Sequence, residues 1–186
     1  MKASRPWLIA LAVTAAVQIG VPAHMIIGRE RVLHEGDVYK FRTAPVDPSD
    51  AFRGRYVALR FDQDRATVAP GAAIESGQQV YVEIETGYDG FARFVLARPE
   101  PPADRPFLKL RANYRSGDTV YLTLPFDRFY MPEDLAPKAE RVYLDHSSRG
   151  KRDAYVTVRI HDGTGAIENL YVGDRPIADV IRNPDR

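Results

Sequence analysis

Cysteine is absent from the 186 residues. That excludes a disulfide framework, a thiolate nucleophile, an iron–sulfur cluster and cysteine-ligated zinc, and it leaves the redox compartment open. Histidine is scarce: His24, His34, His146 and His161 are the only four, and no two lie two, three or four positions apart, so helical zinc signatures are missing as well. Asp145-His146 and His161-Asp162 set a carboxylate beside an imidazole, but each flanks a loop, where a solvated histidine is the ordinary reading. Charge of one sign is lacking too. With 26 Lys+Arg against 25 Asp+Glu the net is +1, so the total offers no attraction to nucleic acid. There is no Gly-x-Ser-x-Gly elbow and no Gly-Lys-Ser/Thr phosphate loop. Gly163-Thr164-Gly165 opens like a dinucleotide fingerprint, yet it sits between two strand-like runs instead of leading into a helix. No catalytic residue, metal ligand or cofactor site is nominated by these patterns.

What the chain has is an apolar opening. Residues 7–27 (WLIALAVTAAVQIGVPAHMII) contain no Asp, Glu, Lys or Arg, and as a helix they would reach about 31 Å, close to the thickness of a bilayer core. Lys2 and Arg5 precede them, the layout of both signal peptides and uncleaved signal anchors. Val21-Pro22-Ala23 loosely fits a cleavage site. Against cleavage, Met25, Ile26 and Ile27 prolong the apolar run beyond that point, and Trp7 suits a membrane interface. Arg29, Arg31, Lys40 and Arg42 outnumber Lys2 and Arg5, but long domains translocate regardless of charge. The reading is a single-pass anchor in residues 1–28 that meets the bilayer through residues 7–27, with a cytoplasmic N-terminus in a bacterial inner membrane. Residues 29–186 then form a periplasmic or otherwise extracytoplasmic domain, net charge −1 with 24 basic and 25 acidic groups.

That domain reads as mainly β. Pro, Gly and Asp punctuate it about every ten residues, with Val/Ile/Tyr/Phe-rich runs between, which predicts one all-β sandwich or barrel-like domain. Val80, Val82 and Ile84 alternate with Tyr81, Glu83 and Glu85, so one face is expected buried and the other wet; Ala154, Val156, Val158 and Ile160 repeat this opposite Tyr155, Thr157 and Arg159. Asp89-Gly90 and Asp162-Gly163 predict two tight hairpins. A single short helix is expected near Pro132, with Leu135, Ala139, Val142 and Tyr143 on one face and Pro137 tolerable only in the first turn. Residues 98–106 (RPEPPADRP) read as an exposed loop, the tail from Asp179 as frayed, and Arg149-Gly150-Lys151-Arg152 as a basic turn that is either solvated or in contact with anionic headgroups.

Pro45-Val46-Asp47-Pro48 followed by Phe52-Arg53-Gly54-Arg55-Tyr56-Val57-Ala58-Leu59-Arg60-Phe61 resembles the signature of the GDYXXLXY family of membrane-anchored bacterial proteins. Phe129-Tyr130-Met131-Pro132-Glu133 is similar to that family's second block, and the last Asp-Gly hairpin, ending at residues 169–174, to its closing segment. The resemblance implies a membrane-anchored protein, often encoded near polytopic membrane proteins, with no established activity. Gly54, Tyr56 and Leu59 match the motif, while its Asp is Arg55 here and its last Tyr is Phe61. A charge reversal and a lost hydroxyl argue against a reacting role at those two positions. In a strand, Leu59 and Phe61 would fill core, Gly54 would permit the turn, and Tyr56 would face the other way, as a hydrogen-bonded anchor or as partner surface.

The expected function is therefore a non-enzymatic binding or assembly component of a polytopic inner-membrane protein, with Gly54, Tyr56, Leu59, Phe61, Tyr130, Pro132 and Glu133 as its motif and candidate contact residues. Two alternatives stand beside it. One is a degenerate signal-peptidase-like enzyme, suggested by Lys109 ahead of Gly117-Asp118 but lacking a Ser-Met before the first Gly, since Ser49 is followed by Asp50. The other is a soluble periplasmic ligand-binding protein released by cleavage.

Overall fold

In a computed structural model, residues 5–44, 56–147 and 151–183 are described. Helix α1 (Arg5–Glu35) contains the whole apolar run and does not stop with it. One helix, spanning Pro6–Glu35, is long and apolar enough to cross a membrane, and none of its most apolar stretch is buried against the rest of the protein. Its last two turns are different. Val32 is buried, and the helix ends where Gly36 donates its N–H to the Val32 carbonyl at 3.0 Å. A side chain at Gly36 would strike that carbonyl and lie 3.0 Å from the Ile160 backbone nitrogen, so the close approach of helix to sheet requires glycine. Arg159 closes the junction by donating from Nη1 to the Gly36 carbonyl at 3.0 Å.

The body is mainly β, as its punctuation predicts. Strand β1 (Asp37–Ala44) leaves the helix directly and pairs with β10 (Ala154–His161), the centre of a five-stranded sheet ordered β12 (Arg175–Pro176), β11 (Thr164–Val172), β10, β1, β3 (Arg60–Phe61). Strands β4 (Arg65–Val68), β6 (Ala92–Arg98), β5 (Gln79–Thr86), β7 (Phe107–Ser116) and β8 (Thr119–Thr123), in that spatial order, close into a small barrel. The parallel β4–β6 pair and the antiparallel β4–β8 pair complete the closure, which removes open edges from this part of the domain. Both Asp-Gly hairpins form, joining β5 to β6 and β10 to β11. Gly90 takes φ +76, and Asp162 and Gly163 take +48 and +76, the left-handed backbone that such turns demand. Val80, Val82, Leu108 and Val120 fill the barrel, and one continuous core joins them to Phe41, Val156, Val158 and Leu170 of the sheet. Its centre is aromatic: Phe61 meets Phe126 edge-on at 5.5 Å, and Phe41 lies 5.7–6.3 Å from Phe61, Phe94 and Phe126.

Several local readings need correction. Glu83 does not face water: it is 1 % exposed, because Arg98, whose Nε donates to it at 2.5 Å, and Arg105, 3.8 Å away, cover it on the outer face of β5. Tyr155 and Thr157 are likewise buried, the former covered by Phe91, 5.5 Å away edge-on, and by Tyr171 stacked at 5.0 Å. The tail is not frayed at Asp179, since α3 (Ile177–Arg182) packs a fully buried Ile177 into the core. The helix near Pro132 exists as α2 (Ala136–Ser147), starting later than Pro132 and with Pro137 harmless in its first turn.

Candidate functional site

The two motif blocks, far apart in sequence, meet in space. Strand β2 (Tyr56–Ala58) pairs antiparallel with β9 (Arg128–Tyr130), setting Tyr56 opposite Tyr130, Val57 opposite Phe129 and Ala58 opposite Arg128. Alternation then sorts the side chains. Val57 is fully buried, and Leu59 and Phe61 are 6 % and 8 % exposed in the core. Tyr56, Arg128 and Tyr130 share the opposite face. The Tyr56 and Tyr130 rings lie 5.7 Å apart with their planes tilted by 60°, and the Arg128 guanidinium sits over the Tyr56 ring at 5.0 Å. Hydrogen bonding with the Tyr130 side chain, followed by the negative charge of Asp127, holds the Arg128 guanidinium above its ordinary pKa, so it is a fixed cation. Tyr130 is 62 % exposed, a large aromatic side chain that folding leaves uncovered.

Other motif positions support this ribbon. The Leu59 N–H donates to the Asp127 carbonyl at 2.8 Å, tying β2 to the start of β9. The Pro132 carbonyl accepts from Leu135 at 3.0 Å and Ala136 at 3.1 Å, which starts α2, and Glu133 lies exposed in that turn. From α2, the buried Tyr143 donates its hydroxyl to the Ala44 carbonyl at 3.1 Å, and burial raises its pKa. Gly54, Arg55, Ser49 and residues 45–48 lie outside the described residues, as do Arg149 and Gly150. Lys109 stands exposed on the outer face of β7. No group of three or more His, Asp or Glu side chains placed to hold a metal occurs among the described residues.

The ribbon borders two clefts under the end of α1. One, of about 260 Å³, is lined by Arg29, Asp127, Arg128, Tyr130 and Gly165. The other, of about 410 Å³, is lined by Arg29, Leu33, Arg128, Tyr130, Ile167 and Glu168. Arg29 and Arg128 were not singled out from sequence. Arg128 was discoverable, since strand alternation places it on the same side as Tyr130. Gln18 is a further omission: it stands near the middle of residues 7–27, and Pro22, lacking an N–H, leaves the Gln18 carbonyl without its helical donor.

The family model for GDYXXLXY proteins matches residues 18–170. No match was found among curated proteins or among solved structures.

Proposed function

The chain belongs to the GDYXXLXY family, and from that premise we propose that it is a non-enzymatic, membrane-anchored binding component. In this reading its β domain sits outside the cytoplasm and engages a polytopic inner-membrane protein through the Tyr56–Tyr130 ribbon. The observation that carries the reading is convergence: two separate motif blocks form one small ribbon that leaves Tyr130 exposed beside the end of the apolar helix. An aromatic pair with an adjacent arginine is the composition that anchors protein interfaces. A tether also confines the domain to a thin layer, so a modest interface is occupied by effective concentration alone. Gln18 adds to this, because a carboxamide and a freed carbonyl near the centre of a lipid-exposed helix favour a neighbouring helix that can satisfy them.

The test is a photo-crosslinking residue introduced at Tyr130 in the full chain, with the same residue at Tyr114 on the barrel as control. Irradiation of intact membranes is expected to give one adduct with a polytopic membrane protein from position 130 and none from position 114. Equal labelling from both positions, or adducts only with soluble proteins, would overturn the reading.

A further inference from the structure

The clefts beneath α1 carry a chemistry that the ribbon alone does not explain. Arg29 and Arg128 line both of them, approaching from different elements. Arg29 has no ion-pair partner among the described residues. Two acids share the walls. Asp127 lies 3.6 Å from Arg128 and is itself largely exposed, while Glu168 is held by Arg159 Nε at 2.8 Å. Arg29 is thus left as an uncompensated cation lining the same clefts as Arg128 and Tyr130. Leu33, Phe129 and Ile167 give the larger cleft an apolar wall.

Position along the helix says where this lies. Arg29 is two residues beyond the end of the apolar run, a rise of about 3 Å, whereas the headgroup layer on one side of a bilayer is about 5–7 Å deep. The cleft therefore opens at headgroup height, provided that α1 is inserted as proposed above. Guanidinium groups bind phosphate through paired charge-assisted hydrogen bonds, an aromatic ring at this depth suits the interface, and the apolar wall suits the glycerol and first methylenes of a lipid.

We propose that the cleft between α1 and β9 binds the phosphate of an anionic phospholipid headgroup, held by Arg29 and Arg128 and flanked by Tyr130. The bound lipid orients the domain about its tether, so that the ribbon keeps one aspect towards the membrane.

The experiment uses the full chain in neutral detergent micelles, following the thermal unfolding midpoint as short-chain phosphatidylglycerol, short-chain phosphatidylcholine, inorganic phosphate or a glutamate-rich peptide is added. Phosphatidylglycerol is expected to raise the midpoint at concentrations at least tenfold lower than phosphatidylcholine, and phosphate and peptide to have no effect. The double variant Arg29→Gln/Arg128→Gln should lose the tenfold preference, while Arg29→Lys/Arg128→Lys should keep most of it. An equal response to both lipids, or an unchanged preference in the glutamine variant, overturns the site. A matching shift with phosphate makes it a free-anion site, and a matching shift with the peptide assigns the cleft to an acidic protein segment; either overturns the lipid. Flotation with phosphatidylcholine vesicles separates the two readings. A chain that fails to float refutes the anchor, whereas one that floats without headgroup preference refutes only the lipid site.

Discussion

The barrel and the ribbon are made from the same kind of alternating sequence and end in opposite states. In the barrel, strands of four to ten residues close on one another, and Tyr114 and Tyr121 stack outside at 4.3 Å. In the ribbon, two strands of three residues pair only with each other. Its inward residues join the common core, while its outward face presents Tyr130 and Arg128 to the space beside α1. Short pairing and an uncovered aromatic surface contribute little to stability. Their persistence beside a well-closed barrel is what the proposed partner surface would account for.

If this division holds, substitutions on the two sides of one motif should part company. Phe61→Ala removes a ring from the aromatic centre, and about 3–5 kcal/mol of stability should be lost; urea unfolding of the purified chain checks it, and a loss below 1 kcal/mol would mean the motif is not a core element. Glu83→Gln keeps the volume but takes the buried charge from Arg98 and Arg105. An intermediate loss of about 1–3 kcal/mol is expected in the same assay, and no loss would show that barrel packing does not need the pair. Tyr130→Ala should change stability by only about 0.5 kcal/mol and yet abolish co-purification with the proposed membrane partner. A large stability loss there would erase the contrast between the regions.

The alternation of Val57, Leu59 and Phe61 against Tyr56 was legible because a strand has a period of two and one face must be buried. The Asp-Gly hairpins were legible because positive φ narrows the choice of residue. Glu83 was not: it keeps the alternation of β5, and its burial comes from Arg98 of β6 and Arg105 of the following loop, so no local pattern reports it. The burial of Tyr155 depends in the same way on Phe91, from a distant hairpin. The pairing of β2 with β9 was hidden for a related reason, since two three-residue strands carry too little pattern to announce register across such a separation. Arg29 looked like an ordinary flanking charge until the helix was seen to run on to Glu35 and bring it to β9's side. Sequence thus named the two tyrosines of the ribbon but neither arginine beside them, and did not show that the motif blocks meet.

The absence of cysteine allows the arrangement to be measured without background. A spin label at Tyr130→Cys would report from the ribbon. One at Tyr88→Cys would report from the β5–β6 hairpin, whose Asp89 lies 3.7 Å from Arg42, five residues along β1 from its first residue, Asp37, and so about 17 Å from it. With the full chain in vesicles carrying a nickel chelate on their headgroups, the label at 130 should relax strongly and the label at 88 weakly. Equal relaxation at the two positions, or stronger relaxation at 88, would contradict a ribbon held against the membrane surface.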